Sequence, residues 1–209
     1  MRKVQGKSDW KAGFLFVGNE PVLDFVNTRP VLDDTPVELL TDFDALLRWF
    51  QSAGLLNSEQ AGRMAGQWGG TARALKTVEA MRELREKLRE EVLTWERRGG
   101  IRQSVLEELN RLLAEHPMRT RLRLAGRGHM KEAWFEAHEP EDLFAPLAQS
   151  AVNLFAGADR TRVRKCASCV LHFHDTSKKG TRRWCSMQMC GNRLKVAAYA
   201  ARQRQRSGR

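Results

Sequence analysis

Along residues 71–98 the apolar residues Leu75, Val78, Met81, Leu84, Leu88, Val92 and Trp95 recur every three or four positions. That spacing gathers them on one face of a helix and leaves the opposite face to charge. Arg82 with Glu86, and Glu83 with Lys87, stand four residues apart on the charged side, where opposite charges support a helix. Gly99-Gly100 ends it. Two shorter helices are predicted upstream. Phe43, Leu46, Leu47 and Phe50 mark one over 41–53, with Thr41 or Asp42 as the cap and Gly54 as the stop. Residues 57–67 form another, opened by Asn57 or Ser58. Downstream, residues 104–115 place Val105, Leu109, Leu112 and Leu113 on one side, with Pro117 beyond.

The period then changes from three or four to two. Arg121-Leu122-Arg123-Leu124 alternates, residues 130–137 supply a partner strand, and Gly126-Arg127-Gly128 supplies the turn, which together predict a β-hairpin with its arginines on a solvated face. Helical spacing returns over 141–155, where Pro146 implies a bend or a late start. Near the N-terminus, GFLFV at 13–17 reads as a short strand, and the stretch from Pro21 to Leu40, with three prolines, as short elements and turns. The fold class expected is α+β: a mainly helical body with a short strand and a hairpin over residues 1–159, divided at Gly157-Ala158-Asp159 from a small C-terminal module over 160–209.

Charge sets that module apart. The 209-residue chain carries a formal +11, but residues 160–209 hold fourteen Lys and Arg against one acid, Asp175, a local net of +13; residues 1–159 hold 22 bases and 24 acids. All four cysteines, Cys166, Cys169, Cys185 and Cys190, fall in the same basic quarter. The opening residues are polar and broken by charge, with no apolar run of membrane-spanning length, so a cytoplasmic protein with reduced thiols is expected.

The cysteines are spaced C-x2-C, fifteen residues, C-x4-C. Two close pairs at that separation suit zinc, since each pair gives two ligands from one turn and four thiolates complete a tetrahedron. A site closed by four thiolates leaves no position for water or substrate, so the metal is structural. A redox C-x-x-C needs a βαβ setting that is missing, and a disulfide conflicts with the expected compartment. His172 and His174, on the strand-like LHFH, stand as neighbours of the cluster rather than ligands, and no acid, base or free nucleophile converges for catalysis, so no enzyme is expected.

CASC, FHD and RRWCSMQMCGNR, followed by a helix-forming stretch with Tyr199, resemble the CGNR zinc finger, named for Cys190-Gly191-Asn192-Arg193. PVLDFVNTR with the later ELL resembles the ABATE domain that precedes this finger. The resemblance implies a stress-associated bacterial transcription regulator, a zinc-ribbon or treble-clef-like module ending in a basic helix, and metal ligation by Cys166, Cys169, Cys185 and Cys190.

Beyond Cys190, with Ser186 as cap, helical angles put Leu194, Ala197, Ala198 and Ala201 on one side and Lys195, Tyr199, Arg202 and Arg206 on another. The expected nucleic-acid contacts are Arg182, Arg183, Asn192, Arg193, Lys195, Arg202 and Arg206, with Lys178-Lys179 extending the patch, and double-stranded DNA as the partner. A competing use exists for some of them: four thiolates around Zn2+ carry a formal −2, which nearby arginines answer. Asp24, Asn27, Thr28 and Arg29 are candidates for binding a small-molecule effector, or are cap and turn formers fixing the start of the helical body. Rival readings are an RNA-binding protein that stacks bases on His172, Phe173 or Trp184, and a zinc-stabilised interaction module without nucleic acid. A homodimer built on the body is the expected assembly, with no membrane partner.

Overall fold

In the computed structural model, which describes residues 9–126 and 128–191, the chain opens with two short antiparallel strands, β1 (Trp10–Lys11) and β2 (Phe14–Leu15). The stretch rich in proline resolves into helix α1 (Pro21–Val26) and a second small hairpin, β3 (Val31–Leu32) with β4 (Thr35–Pro36). Its two-residue turn, Asp33-Asp34, has both residues in the left-handed region, as a tight hairpin turn requires. Three helices follow: α2 (Phe43–Ser52), α3 (Ser58–Trp68) and the long α4 (Ala72–Arg98).

Each of these starts where a side chain takes over an orphan backbone N–H. Asp42 accepts from Ala45 N, Asn57 forms a reciprocal capping box with Gln60, and Thr71 accepts from Ala74 N. Gly99, left-handed, ends α4. Helix α5 (Gln103–Glu115) leads into the hairpin of β5 (Arg119–Ala125) and β6 (Gly128–Trp134), paired from Arg119↔Trp134 to Ala125↔Gly128. A 3-10 turn, Pro140–Leu143, precedes α6 (Phe144–Gly157), which places Pro146 in the first turn where its missing N–H costs nothing. Next come β7 (Val163–Lys165) and β8 (His172–His174), antiparallel to each other.

The body's core lies among α1, α2, α4, α5 and α6, with Trp49 at its centre, edge-on to Phe25 and Phe50. Helix α4 departs from the expected pattern at both faces. Leu75 is half exposed rather than part of the buried stripe. The expected pairs along the helix do not form: Arg82 reaches across to the Leu40 and Thr41 carbonyls, and Lys87 pairs with Glu108 of α5. Long side chains on a packed helix gain more by tying down a neighbouring element than by pairing in parallel along a solvated face. Two charged residues of α4 are buried outright. Arg85 pairs with Glu38 at 2.5 Å and donates to Thr28 Oγ1, and Glu91 accepts from the Arg102 N–H and guanidinium, both at 2.6 Å.

A second, smaller core holds Leu15 and Val17 together with Leu171, Phe173 and three of the cysteines. The strand-like GFLFV therefore serves two cores at once. Phe14 and Phe16 face the body, with Phe16 stacked over Trp49, while Leu15 and Val17 face the cysteine module. Alternation of successive side chains across a strand makes this division possible.

The metal centre and its seam with the body

The four cysteine sulfurs lie within 4.8 Å of one another. Cys185 Sγ stands 3.6 Å from Cys169 Sγ and 3.7 Å from Cys190 Sγ. Four sulfurs at a Zn–S distance of about 2.3 Å, set on a tetrahedron, are separated by about 3.8 Å. The residues present fit the ion. Cys166, Cys185 and Cys190 are buried and Cys169 is half-buried, so the cluster has one side nearer to solvent.

Local geometry explains why these thiols meet. Cys166 N–H donates to the Leu171 carbonyl and closes a tight loop between β7 and β8, which turns Cys169 back towards Cys166. The second pair sits on a π-type turn, Met187–Gly191, capped as expected by Ser186, whose hydroxyl accepts from the Gln188 and Met189 N–H groups. Cys166 Sγ also accepts from the N–H groups of Cys185 and Ser168. Hydrogen bonds from the Cys169 and Cys185 thiols, reinforced by those N–H groups, hold the Cys166 thiol far below its ordinary range. The contact with Cys166 pushes Cys169 up to about 12. Four thiols this close cannot all ionise without a cation, and a divalent ion in the cluster replaces their protons.

Asp175, the one acid of the basic segment, is fully buried and knits the loop leading to Cys185. It accepts from the Ser177 and Arg182 N–H groups at 3.0 and 2.7 Å. Burial opposes its ionisation, but those hydrogen bonds and the nearby Arg164 outweigh it and lower its pKa to about 2. Its isolation among bases was the visible sign of a structural role.

The basic residues of the module divide into two sets. Arg160 donates to Glu96 O, Arg162 to the Asp175 and Ser177 carbonyls, and Arg164 to those of Thr161, Gly180 and Arg182. Arg182 donates to the Trp184 and Cys185 carbonyls and lies 4.4 Å over the Phe173 ring. These four are cross-braces. Lys165, Lys178, Lys179 and Arg183 are exposed and form no ion pair among the described residues, although Arg183 lies over Trp184 at 5.6 Å. Asn192, Arg193, Lys195, Arg202 and Arg206 lie outside the described residues.

The two histidines differ from each other. His174 Nδ1 lies 3.0 Å from a Glu20 carboxylate oxygen. His172 is buried beside the seam, where desolvation, then the charges of Arg89 and Lys165, lower its pKa to about 4. Neither belongs to the sulfur cluster. Phe173 is fully buried, and Trp184 packs against the small core.

Asn27 holds the seam directly, Asp24 supports it through Gly18, and Thr28 braces the body behind it. Asn27, just past the end of α1, donates to the His172 carbonyl and accepts from the His172 N–H, both at 2.8 Å and both buried. Its amide thus pairs with β8 as a neighbouring strand would. The Gly18 carbonyl accepts from His174 N–H, and the Gly18 N–H donates to Asp24 at 2.7 Å. A Cβ on Gly18 would sit 2.8 Å from Asp24 N, so only glycine permits this approach. Thr28 donates to the Phe25 carbonyl and accepts from Arg85, while exposed Arg29 stands 3.7 Å from Glu86.

A family profile described as "Putative stress-induced transcription regulator", ABATE, matches residues 19–158, and that of the CGNR zinc finger matches residues 162–203. The chain belongs to the ABATE family. It carries the CGNR zinc finger at its C-terminal end, with structural zinc at the four cysteines, and neither family is an enzyme family. No curated protein matches the chain. No helix among the described residues is long and apolar enough to cross a membrane.

Burial pushes the Asp24 carboxyl up to about 7, against the opposing Gly18 and Val17 N–H groups. A carboxyl raised this way contributes stability that is complete below its unfolded value near 4 and is lost as pH rises through 7. Asp24→Asn keeps the acceptor for Gly18 without the charge. The variant is therefore expected to gain stability relative to the parent as pH rises from about 4 to about 7, by a few kcal/mol in all, with the difference level above that. Chemical denaturation of both proteins with zinc present checks this, and parallel pH profiles would contradict it.

Proposed function

We propose that this ABATE-family protein is a cytoplasmic transcription regulator whose finger contacts double-stranded DNA while the helical body senses or dimerises. The observation that carries the reading is the division of the basic residues. Arg160, Arg162, Arg164 and Arg182 are committed to internal carbonyls, and the thiolate–zinc charge needs only two positive charges to offset it. Lys165, Lys178, Lys179 and Arg183 remain exposed on a surface whose one acid is buried, and six further bases follow in residues 192–209. An unbalanced positive surface of this kind suits a phosphate backbone. Of the expected contacts, Arg183 and the bases of 192–209 carry this interface together with Lys178 and Lys179, and Arg182 serves as the brace behind it.

Stacking on bases by His172 or Phe173 has no support, because both are buried, and this weighs against the RNA reading. Dimerisation through the body draws support from the β5–β6 hairpin, where Leu122 and Leu124 are about three-quarters exposed and, among the described residues, the seven paired positions have no further strand beside them.

The test is duplex binding by the intact, zinc-loaded protein over a range of salt. The logarithm of affinity should fall linearly with that of salt concentration. The triple change Lys178→Gln, Lys179→Gln, Arg183→Gln should reduce the slope by about 0.9 for each phosphate that is no longer neutralised. An affinity indifferent to salt would refute the interface. Deleting residues 160–209 is a poorer test, since Leu15 and Val17 would lose the core they pack in.

A further inference from the structure

A cavity of about 270 Å³ lies where the β3–β4 hairpin of the body meets the metal loops. Val31 and Leu32 line it from the body, Val170 and Met189 from the finger, and two metal ligands, Cys169 and Cys190, complete its lining. It falls just under the roughly 300–1,000 Å³ of sites for drug-sized ligands, so it suits a smaller molecule.

Among the described residues, the charged groups that line it have one sign. Asp33, exposed at the turn of the β3–β4 hairpin, lines the cavity, and its carboxylate forms no ion pair among the described residues. The thiolates of Cys169 and Cys190 belong to a cluster that keeps a formal −2 with zinc bound. Among the described residues, no lysine or arginine lines the space. Apolar side chains set between two negative groups disfavour carboxylates and phosphates and favour a molecule with a hydrocarbon part and one positive charge.

From this arrangement we infer that the cavity is a binding site for a small organic cation, an alkylammonium-type molecule that bridges the β3–β4 hairpin and the zinc loops. Its ammonium lies towards Asp33 and the thiolates, and its hydrocarbon part against Val31, Leu32 and Val170. A ligand held there touches both the body and the finger, and this gives the proposed regulator an effector input at the metal seam. The inference deepens that reading, but its test needs no DNA, so either can fail without the other.

The experiment titrates the zinc-loaded full chain with n-pentylammonium, n-pentanol and pentanoate while backbone amide NMR shifts are followed. Saturable shifts should centre on residues 31–33, 169–171 and 189–190, with the ammonium binding about five-fold more tightly than the alcohol and pentanoate weakest. Asp33→Asn, which suits the left-handed turn, should remove most of the preference for the cation. Val31→Trp should fill the cavity and abolish binding by all three probes. Equal affinity for the ammonium and the alcohol, an Asp33→Asn variant with the preference intact, or shifts centred elsewhere would each overturn the inference. If Val31→Trp loses zinc or fails to fold, the Asp33→Asn comparison decides the question alone.

Discussion

Cys185→Ser is expected to lose zinc and unfold the finger, and to loosen the body with it. Cys185 lies at the middle of the cluster, next to the sulfurs of Cys169 and Cys190, and its N–H supports Cys166. Its removal therefore affects all three remaining ligands. Structural zinc in small fingers binds with an apparent free energy of about 10–16 kcal/mol, comparable to the whole folding free energy of an ordinary domain. Among the described residues, the apolar part of this module is Leu171, Phe173 and a few partly buried neighbours, with Leu15 and Val17 lent by the N-terminal strand. Such a core does not hold a fold without its metal. The second consequence follows from that loan. When the finger opens, Leu15 and Val17 lose their burial and the Gly18–His174 bond breaks, so residues 14–18 should become protease-sensitive together with 160–191. A strong chelator should reproduce both effects in the unmodified protein. Metal content, thermal unfolding and limited proteolysis check this. A Cys185→Ser protein with full zinc and an unchanged midpoint would exclude the four-cysteine site.

Much of this arrangement was legible in the chain itself, because its signals are local. Cysteine spacing reports ligand pairs that each sit on one turn. Asp42, Asn57 and Thr71 announce helix starts within a few residues of the groups they cap, and the alternation of Arg121 to Leu124 marks the hairpin. The seam was not legible, because periodicity shows which residues share a face but not which surface that face meets. GFLFV shows a two-residue alternation, yet nothing near it says that Leu15 and Val17 belong to a core completed more than 150 positions later. Asn27 likewise looks like a turn former, and only its contact with His172, 145 residues away, makes it a clamp. The same limit applies to charge. Arg164 and Arg183 are alike in sequence, but Arg164 is a brace holding three carbonyls and Arg183 is free of ion pairs among the described residues. Arg85 and Glu91 look like two more members of a solvated helix face until α4 is packed against the segments that carry Glu38 and Arg102.

Asn27→Ala separates the seam from the metal site itself. The side-chain amide satisfies both the N–H and the carbonyl of buried His172, and alanine leaves each without a partner in a space where the His172 ring nitrogens already have none among the described residues. An unmet buried backbone group costs about 1–3 kcal/mol, so the substitution should destabilise the protein by about 2–6 kcal/mol, less where water enters. Asn27→Asp is a sharper probe. It keeps an acceptor for the His172 N–H but sets a carboxylate against the His172 carbonyl, and should be at least as damaging. Because none of these atoms touches the sulfurs, zinc content should stay near one per chain in both variants. The expected signature is faster amide exchange at His172 and His174 and a lower unfolding midpoint with the metal retained. Loss of the clamp should also weaken the link between the two cores, so that chelation lowers the stability of the body less in Asn27→Ala than in the parent. A variant with unchanged exchange at His172 would mean that the strands are held by β7–β8 pairing alone, and that Asn27 contributes nothing to joining the finger to the body.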